Sequence, residues 1–126
     1  MTAVVWVALG GAMGSVARYG VSLIGARLGA AFALPTFAVN VTGSFAIGLA
    51  MALLLGRAAD PASVWRLFLV TGFLGGYTTF STFAFDALRL THEGRPAQAA
   101  LYVVGTTVVG LLACAAGVAL GRLLAR

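Results

Sequence analysis

The sequence predicts an all-α membrane protein of four transmembrane helices, and three observations predict it. Hydrophobic residues make up 61% of the 126-residue chain and charged residues only 9%, against roughly a quarter charged in a soluble domain. The mean hydropathy is +1.04. Charges punctuate the chain: none falls from Leu28 to Gly56, from Leu67 to Phe85 or from Pro96 to Gly121. Each stretch is long enough to cross the hydrocarbon, which takes about 20 apolar residues. Four crossings would use about 80 residues, so a larger bundle does not fit. This composition excludes a soluble domain, a disordered segment and a disulfide-stapled secreted module.

Each element follows from its own residues. Helix one covers residues 3–28, uncharged except for Arg18 and, at its end, Arg27. No basic run precedes it, so it reads as a retained span and not a cleaved signal peptide. Pro35 suits the first turn of helix two, residues 35–55, because its missing N–H is harmless there. Asp60-Pro61 marks a turn, after which helix three covers residues 62–91. Glu93-Gly94-Arg95-Pro96 is the next turn, and Pro96 opens helix four, residues 96–124. Residues 1–126 thus form a single transmembrane domain.

The formal charge is +5 and all eight basic residues are arginines. Most stand alone at the edges of apolar runs, where they reach headgroups, and no basic cluster or stripe marks a nucleic-acid partner. Arg57, Arg66, Arg122 and Arg126 border one side of the membrane, and Arg27, Arg89 and Arg95 the other. Positive-inside orientation needs an imbalance, and four against three is nearly none. Either one loop dominates and topology is single, or the chain inserts both ways and opposite copies pair as an antiparallel homodimer. Cys114 is the only cysteine, which excludes an intrachain disulfide. His92 is the only histidine and sits in a turn, so no nucleophile–base or metal set marks an enzyme.

Lipid tails are as apolar as leucine, so membrane helices meet through small residues and hydrogen bonds. Three stripes at spacing four mark inward faces: Gly10, Gly14, Arg18 and Ser22; Thr36, Asn40, Ser44 and Gly48, with Gly43 beside them; and Tyr102, Thr106, Gly110 and Cys114. The glycines alone are explained by helix packing. Asn40 needs more, because a mid-membrane carboxamide requires partners for two donors and an acceptor, or a ligand.

The segment from Gly72 to Phe83 is the most informative. Gly75-Gly76 followed by Thr78-Thr79 is poor helix material at membrane depth. Either helix three breaks there, with carbonyl oxygens freed toward a hard cation, or the glycines sit at a tight crossing in a continuous helix. Phe80 and Phe83 share a face. Their positive ring edges suit an anion in a narrow passage, although phenylalanines at this spacing also serve plain packing. The hydroxyls of Thr79, Ser81 and Thr82 can donate to an anion. Arg18 either binds freed carbonyls or snorkels to the interface, and Asp86 either pairs with an arginine or stands near a pore.

Three segments carry a family resemblance across essentially the whole chain: Gly10-Gly11-Ala12-Met13-Gly14-Ser15-Val16-Ala17-Arg18-Tyr19, Phe37-Ala38-Val39-Asn40-Val41-Thr42-Gly43, and Thr71-Gly72-Phe73-Leu74-Gly75-Gly76-Tyr77-Thr78-Thr79-Phe80-Ser81-Thr82-Phe83. With these the chain resembles the small fluoride channels called Fluc or CrcB. The resemblance implies a dual-topology homodimer in the cell's inner (plasma) membrane, with two antiparallel fluoride pores and a central Na⁺ held by backbone carbonyls of Gly75 and Thr78. It implies a pore asparagine at Asn40, fluoride-facing rings at Phe80 and Phe83, and a hydroxyl track through Tyr102 and Thr106. Gly110 and Cys114 depart from the hydroxyl residues often found along that track, and Asp86 stands where glutamate is common. Arg18, Thr36 and Asp86 are expected in supporting roles. The competing class is a small proton-coupled multidrug exporter, which needs a carboxylate in helix one; helix one has none.

The dual topology that the resemblance implies makes a checkable prediction. A tag at the C-terminus is expected to be reached by membrane-impermeant reagent from both faces of the membrane. Uniform labelling from one face would rule out dual insertion.

Overall fold

The computed structural model describes residues 2–54 and 63–125. Five helical segments make four crossings: α1 (Thr2–Arg27), α2 (Leu34–Leu54), α3, α4 (Phe80–His92) and α5 (Pro96–Leu124). The segment α3 is π-helical over Arg66–Leu74 and closes with an α-helical turn, Gly75–Tyr77. Together α3 and α4 form the third crossing. Residue 55, the Asp60-Pro61 turn, the start at Ala62 and the charges Arg57 and Arg126 lie outside the described residues.

Two linkers use the same stop signal. Gly29 and Gly94 have φ of +64° and +74°, a region that side chains with a Cβ disfavour. Past each glycine, an amide reaches back five residues, from Ala30 to the Gly25 carbonyl and from Arg95 to the Leu90 carbonyl. This is the Schellman closure, and it satisfies carbonyls that the helix end leaves open. The third crossing is capped at its start by Ser63, whose hydroxyl accepts the Arg66 N–H at 3.4 Å.

Packing divides the crossings into two close pairs, α1 with α3 and α2 with α5. Backbone contact at glycine holds both. A Cβ at Gly10 would strike the Phe68 carbonyl oxygen, one at Gly14 the Phe73 carbonyl oxygen, and one at Gly76 the Gly11 carbonyl oxygen. Between α2 and α5, a Cβ at Gly48 would strike the Cys114 carbonyl and one at Gly117 the Phe45 carbonyl. Gly10, Gly14, Gly43, Gly48 and Thr106, from the sequence stripes, are buried, and Ser22 is exposed. The most buried large side chain is Val39, at 1% exposure on α2. Gly117 and Gly121 on α5 are buried contacts outside those stripes, although their spacing of four is itself a close-packing signal.

The third crossing is interrupted at Thr78 and Thr79, whose φ/ψ pairs of −82°/159° and −152°/118° are extended. Gly75 and Gly76 remain helical. Gly76 sits at the crossing with α1, so its role is close approach and the unwinding comes two residues later.

Gly14→Val is expected to lower the thermal unfolding temperature of the detergent-purified protein, by overpacking that costs about 1–3 kcal/mol or more. Gly20→Ala is the control. A Cβ at Gly20 meets nothing within 4 Å, and alanine favours the helix by up to about 1 kcal/mol.

Candidate functional site

The break is held by α2. Asn40 Oδ1 accepts the Thr79 N–H at 2.8 Å, and Asn40 Nδ2 donates to the Thr79 carbonyl at 3.0 Å. One carboxamide thereby answers both backbone polar groups of a residue that has left the helix. At membrane depth no water is available to do so. Asn40 has two Nδ2 hydrogens, and this clamp uses one. Arg18 contributes from α1, its Nε donating to the Gly76 carbonyl at 3.2 Å. Of the two roles open to Arg18, the structure places it on a carbonyl beside the break.

The restart of the helix is also built from side chains. Thr79 is the N-cap of α4, its Oγ1 accepting the Thr82 N–H at 3.2 Å and donating to Thr82 Oγ1 at 3.1 Å. Ser81 Oγ lies 3.3 Å from the same oxygen. The Thr79 hydroxyl proton is therefore occupied by the cap. Thr78 Oγ1 donates back to the Leu74 carbonyl at 3.0 Å. The methyl group of Thr78 lies where a Cβ on Gly43 would be.

These bonds redirect two amides. In an unbroken helix the carbonyls of Gly75 and Thr78 would receive the N–H groups of Thr79 and Thr82. Those donors instead reach Asn40 Oδ1 and Thr79 Oγ1. Two carbonyl oxygens at the break thus lack their helical partners, and Gly75 lies exposed on the surface of the chain.

A cavity of about 520 Å³ opens beside the break, lined by Asn40, Thr78, Thr79, Phe80, Phe83 and Thr106, with Gly110 and Cys114 further along. The rings of Phe80 and Phe83 lie 5.7 Å apart, and Phe83 lies 5.3 Å from the ring of Tyr102. Phe80 is 80% exposed. Thr106 is 7% exposed, and its Oγ1 is a buried polar atom without a hydrogen-bond partner. Asp86 is 3% exposed and receives the Tyr102 hydroxyl at 3.4 Å. Thr36, also buried, adjoins that hydroxyl. Among the described residues the ion pairs are Arg89–Glu93 and Arg95–Glu93, so Asp86 is held by a phenol and not an arginine. No cluster of His, Cys, Asp or Glu able to hold a metal occurs among the described residues. Any metal here would depend on carbonyl oxygens.

Sequence reasoning placed Asn40 and Thr79 in one site but did not foresee the clamp between them. The clamp joins residues on different crossings, and no local spacing signals it.

Four apolar crossings, the third interrupted around a polar clamp, define a small multi-pass membrane protein. Residues 5–118 match the family described as CrcB-like protein, Camphor Resistance (CrcB). The chain is 48% identical over 118 residues to a protein of Acidobacterium capsulatum named fluoride-specific ion channel FluC, covering 93% of this chain and 94% of that one. It is 48% identical over 116 residues to the protein of that name from Paracoccus denitrificans, covering 92% and 91%. With that of Agrobacterium fabrum it shares 49% over 117 residues, covering 92% and 93%. The chain belongs to the CrcB family.

Asn40→Ala removes both halves of the clamp and leaves two backbone groups unanswered, at about 1–3 kcal/mol each. Its thermal unfolding temperature is expected to fall further than that of Asn40→Asp, which keeps the acceptor for the Thr79 N–H. An unfolding temperature for Asn40→Ala equal to that of the unaltered protein would show that the clamp contributes nothing.

Proposed function

We propose that this chain is a fluoride channel that lets cytoplasmic fluoride leave passively, down its electrochemical gradient, and so relieves fluoride toxicity. The observation that carries this reading is identity of 48% or more, over nine-tenths of the chain, to proteins named fluoride-specific ion channels. Fluoride enters as neutral HF, dissociates inside and is trapped as the anion. A selective exit needs no energy input and no catalytic residue.

The geometry supports the reading in physical terms. Fluoride is small and strongly hydrated, so a narrow path must replace its water with donors. Asn40 has a spare N–H, and Thr106 Oγ1 is buried with no partner. An unanswered buried hydroxyl costs about 1–3 kcal/mol, which a passing anion would offset. Ser81 and Thr82 add hydroxyls; Tyr102, whose proton goes to Asp86, packs its ring against Phe83; and the positive edges of Phe80 and Phe83 add attraction without a full charge that would hold the ion too tightly. Asp86 and Thr36 orient the Tyr102 hydroxyl.

In this reading the functional unit is an antiparallel homodimer in the inner membrane, with two pores. Phe80 projects from the chain beside a cavity open along one flank, and a second copy would cover both. The carbonyls of Gly75 and Thr78 fit a hard cation such as Na⁺, because they are oxygen donors relieved of their helical amides. Na⁺ there would tie the two breaks together by charge, with the partner offering the same pair of carbonyls.

Efflux from liposomes tests the proposal. The protein is expected to release fluoride and retain chloride. Phe80→Ile and Phe83→Ile are each expected to abolish fluoride efflux while the dimer persists on size exclusion. Normal fluoride flux through both variants would refute the aromatic-edge path, and equal release of chloride would refute selectivity.

A further inference from the structure

The hydroxyls that line the cavity beside the break belong to Ser44, Thr78, Thr79, Thr106 and Thr107. The protons of three are already placed. Thr78 donates to the Leu74 carbonyl at 3.0 Å, Thr107 to the Val103 carbonyl at 2.8 Å, and Thr79 to Thr82 Oγ1 at 3.1 Å. Thr106 and Ser44 remain. Thr106 Oγ1 is buried without a partner. On α2 the side-chain hydrogen bonds beside the break are those of Asn40 and Thr42, and among the described residues none engages the half-buried Ser44.

The position of Ser44 follows from how α2 and α5 pair. They run in the same direction, with Ser44 beside Gly110, Gly48 beside Cys114 and Leu49 beside Gly121. Asn40 and Ser44 are one turn apart on α2, and Thr106 and Gly110 one turn apart on α5, about 6 Å along each helix. At the first of these levels α5 carries a hydroxyl. At the second it carries none, because residue 110 is glycine. Gly110 is not needed for close packing. A Cβ there would meet one atom of another element within 4 Å, Ser44 Oγ at 3.5 Å, which is an ordinary contact. A Cβ at Gly48 would strike the Cys114 carbonyl oxygen instead. The missing side chain at 110 therefore leaves space in the cavity wall, and the group that faces the space is a hydroxyl from α2.

We infer that Ser44 is a further fluoride-contacting residue, whose hydroxyl donates to the ion one turn beyond Asn40 and Thr106, in the space that Gly110 leaves. The inference rests on the channel reading above and adds a donor to it. A serine hydroxyl rotates to suit its acceptor, and here no other acceptor holds it. Two donor levels about 6 Å apart suit conduction, because an ion must be held well enough to enter and weakly enough, at more than one place, to leave. One turn further the two backbones meet at Gly48 and Cys114, so Ser44 is the last hydroxyl on this seam before it closes.

Fluoride efflux from liposomes, read beside thermal unfolding, tests the assignment. Ser44→Ala is expected to slow fluoride efflux about tenfold, as loss of one hydrogen bond to a charged group should, without lowering the unfolding temperature. Ser44→Ala combined with Gly110→Ser carries the hydroxyl across the seam and is expected to regain most of the rate. Ser44→Ala combined with Gly110→Ala differs from that variant by one oxygen atom and is expected to stay slow. An unaltered efflux rate in Ser44→Ala would overturn the inference, and so would equal rates in the two double variants. A lower unfolding temperature in Ser44→Ala, with no recovery of rate in the double variant carrying Gly110→Ser, would assign Ser44 to packing. Failure of the unaltered protein to release fluoride would overturn the channel reading and this inference with it, which separates that failure from the others.

Discussion

A residue whose backbone leaves its helix inside a bilayer must find new hydrogen-bond partners, and here Asn40 supplies them for Thr79. The rest of the site follows from that substitution of a side chain for a turn of helix. Because the Thr79 amide is turned toward α2, the Gly75 carbonyl is released, and because Thr79 caps α4, the Thr78 carbonyl is released too. The cap also orients α4 so that Phe83 meets Tyr102 on α5. Arg18 stabilises the other side of the interruption through Gly76. A charged residue well inside a crossing is costly unless it is answered, and a carbonyl dipole near a loosened helix end answers this one.

Glycine has two jobs in the bundle, and sequence alone does not separate them. Weak helix propensity and close approach are both consequences of the missing Cβ. At Gly10, Gly14 and Gly76 the structure shows close approach, with neighbouring backbone where a side chain would be. The unwinding belongs to the two threonines, whose hydroxyls can stand in for backbone partners.

The four crossings were legible because charges and prolines mark their ends, and hydrocarbon tolerates few exceptions. The stripes of Asn40 and Thr106 were legible as inward faces for the same reason. The pairing of Asn40 with Thr79 was not, since it joins residues 39 apart on separate crossings. The π-helical geometry of Arg66–Leu74 was also hidden: its residues carry the same apolar signal that an α-helix would, and hydropathy does not count residues per turn. Asp86 had two readings, and its tyrosine partner could be known only once α4 and α5 were placed side by side.

The pairing of α1 with α3 and of α2 with α5 is interleaved along the chain, and α1 touches α2 only lightly. This sets the order of biogenesis. When the first two crossings have left the ribosome, neither has met its mate, and each must wait as a separate rod solvated by lipid. Emergence of the third gives α1 its partner and covers Gly43 of α2, but Gly48 stays uncovered until the last segment is translated. The bundle therefore closes only at the end of synthesis, and a nascent chain stalled before that point would leave Gly48 facing the bilayer.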